Sequence, residues 1–191
     1  MWIDTIAFER RVAPALAAWP AHTALAMRNR MRKALRLYRG DFFPSHDEEW
    51  VLLERERLRC LQLDTLHALA IADAGAGDWA SAVIVARHLC AAEPLREDGH
   101  RLLMEALART GNRALALRQY RICAAVLARE LGVEPMAETR ALERRLSGRA
   151  PAASAAVPRR DGGNDLRAAL VASRQQVALA LGTIDKALSE N

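Results

Sequence analysis

Residues 63–96 read LDTLHALAIADAGAGDWASAVIVARHLCAAEPLR, and residues 97–130 read EDGHRLLMEALARTGNRALALRQYRICAAVLARE. Aligned at an offset of 34 residues, the two halves are identical at nine positions. The identical pairs include Gly77/Gly111, Leu69/Leu103, Ala82/Ala116 and Ala80/Ala114. Glycine readily adopts the left-handed backbone of a helix end, and small residues let helices approach closely. Each half is therefore predicted to be a pair of helices with its turn at the glycine.

A period of 34 residues is that of the tetratricopeptide repeat, in which hairpins of two helices stack side by side. In that arrangement Leu69 and Leu103 fill the space between helices, and Ala82 and Ala116 lie where helices cross. Leu103, Ala116 and Trp79 are predicted to belong to the core. The sequence thus predicts an all-α, right-handed solenoid of about seven helices.

The composition agrees with a helical chain. Alanine occurs 39 times and leucine 27 times, whereas aromatic residues make up only 5%. Strands favour aromatic and β-branched side chains, so all-β and α/β folds are disfavoured. The net charge is +5, which permits acidic partners without requiring them. The three cysteines of the chain are well separated in the sequence, which disfavours a disulfide framework. We also expect a cytoplasmic protein without a membrane span.

Further helices are predicted on both sides of the repeat. Asp4 is predicted to cap a first helix, and a second runs from about residue 22 to 38. Phe42 and Phe43 pin an irregular stretch to the core, and Ser45 with Glu48 forms a capping box for a long third helix. Another helix covers about residues 136–146. We divide the chain into a repeat domain (2–147), a flexible linker (148–163) and a C-terminal amphipathic helix (164–189).

Several blocks resemble the bacterial transcriptional activator domain (BTAD) of SARP-type regulators, the antibiotic regulatory proteins. They occur in the family's order: Leu37-Tyr-Arg-Gly-Asp-Phe-Phe-Pro44, Trp50, Glu54-Arg-Glu-Arg-Leu-Arg59, Gly77-Asp-Trp79, Glu93-Pro-Leu-Arg-Glu97, Ala114-Leu-Ala-Leu-Arg-Gln-Tyr120 and Leu131-Gly-Val-Glu-Pro135. The resemblance covers about residues 2–147. It implies a tetratricopeptide-like fold that works in transcriptional activation.

The resemblance also raises a question about DNA recognition. In that family a winged-helix DNA-binding domain precedes this domain, and the present sequence begins where such a domain would end. We therefore expect either a piece of a longer regulator or a chain without its own DNA reader. On both alternatives, the chain alone should not bind DNA specifically.

Candidate binding residues fall into three groups. In stacked hairpins the first helix of each pair lines a concave face, where protein partners bind. Counting along the repeats places these groove residues there: Asp64, His67, Ile71, Arg101, Glu105 and Arg109. A basic patch is predicted at Arg28, Arg32, Lys33 and Arg36, where it could touch phosphates or form a solvated face. A stripe for docking or homodimer formation is predicted on the last helix, at Leu166, Leu170, Val177, Leu181, Ile184 and Leu188.

The sequence contains no set of residues typical of catalysis. Phosphate-binding loops, nucleophile elbows and zinc-binding helix motifs are absent from it, so we expect no enzyme, no cofactor and no metal. The interpretation favoured is a regulatory module that acts by protein–protein contact, either with RNA polymerase or in regulator oligomerisation. The alternative is a tetratricopeptide-like adaptor or ligand-sensing domain with no direct transcriptional role.

Overall fold

A computed structural model describes residues 2–17 and 24–148 of the chain. Seven helices make up the regular structure of these residues, and the all-α prediction is confirmed. They are α1 (Trp2–Ala17), α2 (Leu25–Leu35), α3 (Glu49–Gly75), α4 (Trp79–Ala92), α5 (Glu97–Arg109), α6 (Arg113–Leu131) and α7 (Ala137–Ser147).

The helices from α3 to α7 form two layers. Helix α5 packs against both α3 and α7, so these three helices make one layer. Helix α4 packs on α3 and α5, and α6 packs on α5 and α7, which places α4 and α6 in the other layer. This is the arrangement expected of stacked helical hairpins.

The two hairpin turns have the same geometry, as the 34-residue offset predicts. Gly77 has φ +77° and Gly111 has φ +80°, both in the left-handed region. In the first turn the backbone N–H of Asp78 donates to the carbonyl of Asp73 at 2.9 Å. In the second turn, at the equivalent positions, the backbone N–H of Asn112 donates to the carbonyl of Leu107 at 2.8 Å. The prediction that the glycines form the turns is confirmed.

The repeat core contains most of the positions predicted for it. Leu69, Leu103, Ala82 and Ala116 are all buried. Trp79 is only half-buried, so its assignment to the core was wrong. Its ring lies under the Arg109 guanidinium, 5.1 Å from the ring centroid, a position that suits a cation–π contact at the surface.

A second core lies between α1, α2 and the first half of α3. Its buried members are Phe8, Val12, Ala34, Phe42, Val51 and Leu58. The second half of α3 contributes Leu63, Leu66 and Leu69 to the repeat core. Helix α3 therefore belongs to both cores.

The segment between α2 and α3 is fixed by one arginine of α3. Phe42 is buried in the second core, which confirms the prediction that it pins this segment. Phe43 has φ +44°, which is uncommon for a residue with a side chain. The Arg55 guanidinium donates to the carbonyls of Phe42 (3.1 Å), Phe43 (2.7 Å) and His46 (2.9 Å). These bonds hold the segment in an irregular conformation.

Two predicted helix starts were wrong. The capping box of Ser45 and Glu48 does not form, because α3 begins at Glu49 and Glu48 makes no side-chain cap bond. The Arg55 guanidinium instead binds the carbonyls of a bend and turn before α3, at Phe42, Phe43 and His46. Helix α1 begins at Trp2 and already includes Asp4, so it starts earlier than predicted. The linker predicted for 148–163 and the helix predicted for 164–189 lie outside the described residues, apart from Gly148.

Candidate protein-binding groove

A groove with a volume of about 600 Å³ runs across the layer of α3, α5 and α7. We call it the three-helix groove. Its lining residues are His67 and Ile71 from α3, Asp98, Arg101, Leu102 and Glu105 from α5, and Glu138, Ala141, Leu142 and Arg145 from α7. His67 and Ile71 are four residues apart on α3. On α5 and α7 an adjacent pair, Arg101 with Leu102 or Ala141 with Leu142, has a lining residue three or four positions away on either side, so each set shares one helix face. The groove combines apolar side chains with charges of both signs.

His67 and Asp98 face each other across the boundary between α3 and α5. The Nε2 atom of His67 lies 3.3 Å from the Asp98 carboxylate, and Arg96 donates to the same carboxylate at 2.9 Å. Burial lowers the pKa of His67 below 6.5, against the attraction of Asp98. Burial raises the pKa of Asp98, but His67, Arg96 and the N–H of Gly99 outweigh it and bring it below its usual range. At neutral pH we therefore expect an ionised Asp98 beside a neutral imidazole.

A network of side chains fixes α7 against α5. Glu97 accepts from the Met136 backbone N–H at 2.9 Å and from the Thr139 hydroxyl at 2.6 Å. Arg101 donates to the same hydroxyl at 3.1 Å. Thr139 is fully buried, so these partners satisfy a hydroxyl that cannot reach water.

A second set of contacts between α5 and α7 involves Glu105, one helical turn after Arg101 on α5. Glu105 accepts from Arg109 at 3.2 Å on its own helix and from Arg145 on α7. Arg145 and Arg109 are both largely exposed, so this cluster remains open to solvent. The charges of this cluster are therefore accessible to a polar partner.

The structure brings together four of the six predicted groove residues: His67, Ile71, Arg101 and Glu105 line it. Asp64 is exposed and accepts from Arg96 at 3.4 Å, and Arg109 bonds Glu105 and covers Trp79, but neither lines the groove.

Sequence reasoning missed the wall that α7 supplies. The signal was present in the spacing of Glu138, Ala141, Leu142 and Arg145, which places all four on one helix face. Because the segment after Gly132 delays the start of α7 beyond the 34-residue period, the comparison of two repeats did not extend to it.

The predicted basic patch is divided by a buried carboxylate. Asp73 is fully buried on α3 and accepts from Arg28 at 3.0 Å and from Arg32 at 2.6 and 2.7 Å. Arg28 is itself buried. Lys33 on α2 and Arg36, the residue that follows this helix, are exposed. The structure thus gives Arg28 and Arg32 an intramolecular partner in place of the phosphate contacts considered above.

The charged stretch 54–59 also makes contacts that join helices. Arg57 pairs with Glu54 on its own helix and with Glu9 on α1. Arg59 pairs with Glu93 at the end of α4, at 2.7 Å. These contacts attach α3 to its neighbours on two sides.

The remaining predicted sites are limited by what the structure describes. The apolar stripe from Leu166 to Leu188 lies outside the described residues. Among residues 2–17 and 24–148, no three His, Cys, Asp or Glu side chains are grouped as a metal site would need. In the same part of the chain, no helix combines the length and the apolar character that crossing a bilayer demands.

Comparison with known proteins gives a consistent result. Residues 3–147 match the family described as bacterial transcriptional activator domain. The chain is 36% identical over 119 residues to the regulatory protein AfsR of Streptomyces coelicolor and, to the same extent, to AfsR of Streptomyces griseus. It is 33% identical over 139 residues to the transcriptional regulator RedD of Streptomyces coelicolor. The aligned segments cover 62% of this chain for AfsR and 70% for RedD, but only 12% of AfsR and 38% of RedD.

Proposed function

The chain belongs to the bacterial transcriptional activator domain family, and on this premise we propose that it works in transcriptional activation by protein–protein contact through the three-helix groove. Its partner in this proposal is RNA polymerase. The proposal includes no sequence-specific DNA binding by the chain alone, and it is supported by the pairing of Arg28 and Arg32, two of the four basic-patch residues, with Asp73.

The observation that carries the proposal is the chemistry of the groove. Ile71, Leu102 and Leu142 provide apolar surface, while Arg145 and Glu105 provide charges of both signs. A polypeptide offers apolar and charged side chains at regular spacing, whereas a phosphate backbone offers only one sign of charge. The groove therefore suits a protein segment better than a nucleic acid.

The test is binding of the full chain to purified RNA polymerase, measured by biolayer interferometry. Ala141 is exposed on the α7 wall, so Ala141→Arg places a long side chain in the groove without disturbing the core. We expect this variant to weaken binding about tenfold or more, because bulky residues at the centre of an interface exclude the partner. Ala128→Arg is the matched control, since Ala128 is exposed on α6 and is not a lining residue.

Two results would contradict the proposal. If the wild-type chain does not bind polymerase, the partner is wrong and an adaptor role becomes the better interpretation. If Ala141→Arg binds as tightly as Ala128→Arg, the groove is not the contact surface. A gel shift with promoter DNA should show no sequence-selective complex for the chain alone.

A further inference from the structure

The two layers of the repeat differ in charge. Helix α4 contains no acidic residue, and α6 contains only Glu130, which pairs with the neighbouring Arg129. Helices α3, α5 and α7 each contain several carboxylates. The layer opposite the groove is therefore basic, although the chain as a whole is only moderately so.

The exposed positions of α4 and α6 correspond at the 34-residue offset. We call the surface they form the basic outer face: Ile84, Arg87 and His88 on α4, and Arg118, Arg121 and Ile122 on α6. Arg87 and Arg121 are an identical pair of the repeat, as are the exposed alanines Ala91 and Ala125 beside them. Core packing explains identities such as Leu69/Leu103, but it does not explain identities on a solvent-facing surface.

The arginines of this face have no carboxylate partner within the part of the chain that the structure describes. The ion pairs there involve many other arginines, among them Arg28, Arg57, Arg96 and Arg145, but not Arg87, Arg118 or Arg121. An arginine fork binds carboxylates bidentately and is less strongly hydrated than a lysine ammonium. These guanidinium groups are thus available to an external carboxylate.

We propose that the basic outer face binds an acidic amphipathic helix of a partner protein. Carboxylates on one side of that helix pair with Arg87, Arg118 and Arg121, and its apolar side covers the two isoleucines. This surface lies on the layer opposite the three-helix groove, so its binding is independent of the groove contact proposed above.

The isoleucines favour a protein over a nucleic acid. Ile84 is 59% exposed and Ile122 is 42% exposed. Each is one helical turn from an arginine on its own helix, Ile84 from Arg87 and Ile122 from Arg118. A duplex backbone would neutralise the arginines but would leave both aliphatic side chains in water. An amphipathic acidic helix satisfies both features of the surface at once.

The test uses a labelled amphipathic peptide of about 18 residues, with leucines on one face and glutamates on the other, long enough to form a helix on binding. Binding to the full chain is measured by fluorescence anisotropy. We expect the double variant Arg87→Glu and Arg121→Glu to raise the Kd about tenfold or more, because each reversal turns an attraction into a repulsion. The double variant Ile84→Ser and Ile122→Ser should raise it several-fold, by an amount that persists at about 0.5 M salt, where ion pairs are screened.

Matched variants separate this surface from general charge and hydrophobicity. Arg10→Glu with Arg144→Glu changes the net charge equally, and both residues are exposed, one on α1 and the other on α7. Leu53→Ser removes an exposed aliphatic side chain elsewhere. Both controls should leave the peptide's Kd within about twofold of wild type, the range of ordinary surface changes.

The proposal is overturned by any of four outcomes. These are absence of peptide binding, equal binding of a scrambled peptide with the same composition but no apolar face, equal weakening by the control arginine pair, and tighter binding of random-sequence duplex DNA than of the peptide. Because Ala141→Arg blocks only the groove, it should bind the acidic peptide like wild type. Failure of the groove contact and failure of the outer face are therefore distinguishable.

Discussion

Replacing Asp73 by alanine should destabilise the fold strongly, although no part of this side chain reaches the surface. The carboxylate is fully buried and accepts bonds from Arg28 (3.0 Å) and Arg32 (2.6 and 2.7 Å). Removing one partner of a buried ion pair typically costs about 3–5 kcal/mol, because the remaining charge is left unpaired. The Arg32 side chain is 27% exposed and can turn towards water, but that of Arg28 is only 11% exposed and its Nε already lacks a partner. The other carboxylate near Arg28, that of Asp78, is 3.7 Å away and 41% exposed, so it compensates only in part and the loss falls at the lower end of this range. We therefore expect a loss of about 3 kcal/mol, a large part of the roughly 5–15 kcal/mol that stabilises a typical domain.

The measurement is urea unfolding of the full chain, followed by far-ultraviolet circular dichroism. Asp64→Ala is the matched control, since Asp64 is also an aspartate of α3 but is exposed and has only a 3.4 Å bond to Arg96. Asp64→Ala should lower the free energy of unfolding by no more than about 0.5 kcal/mol.

A triple variant tests the physical reason for the loss. Asp73→Leu combined with Arg28→Met and Arg32→Met replaces the ion pairs by apolar side chains, and it should regain most of the lost stability. If Asp73→Ala costs less than about 1 kcal/mol, or if the triple variant is no more stable than Asp73→Ala, an unpaired buried charge is not what destabilises the fold.

Three further predictions concern the turns, a buried histidine and the cysteines. Gly77→Ala and Gly111→Ala should each lower the free energy of unfolding by about 1 kcal/mol, as thermal or urea unfolding can measure. The two losses should be similar, because a Cβ at either site meets no atom and only the left-handed backbone is strained. His100 is buried, accepts from the side chain of Gln119 and bonds the Pro94 carbonyl, and burial lowers its pKa below 6.5. Because the unfolded chain then binds the proton first, the free energy of unfolding should fall as the pH drops below 6.5, and His100→Gln should show a shallower fall in urea titrations below this pH. Iodoacetamide should modify the exposed Cys60 in the native protein and spare the buried Cys123, whose pKa burial raises to about 11, as mass spectrometry of the labelled protein can show.

The elements that could be predicted from the sequence are those set by local pattern. Gly77 and Gly111 define the turns, and Leu69 with Leu103 marks the core, because a repeat places equivalent residues in equivalent surroundings. Trp79 was misassigned because size suggests burial, whereas this ring uses one face to contact Arg109. Pattern thus predicts elements better than it predicts the surroundings of a single large side chain.

The features that could not be predicted depend on partners distant in the sequence. The spacing of Arg28 and Arg32 fits a solvated basic face and a buried ion pair equally well, and the deciding residue, Asp73, is more than forty positions away. The apparent capping box at Ser45 is a local signal that was outweighed by Arg55, which holds the preceding carbonyls. The α7 wall of the groove follows from where the chain returns after Gly132, which the two-repeat comparison did not include.

The sharing of α3 between two cores has a consequence for how this domain can be divided. Its first half is covered by Phe8, Val12 and Phe42, and its second half supports the groove through His67 and Ile71. At about 1.5 Å per residue, α3 is a continuous helix about 40 Å long that connects these two regions. A fragment cut to begin at α3 would retain the whole repeat sequence yet expose an apolar helical surface to water. The smallest fragment expected to fold on its own therefore includes α1 and α2. The 34-residue repeats do not mark where an independently folding domain begins.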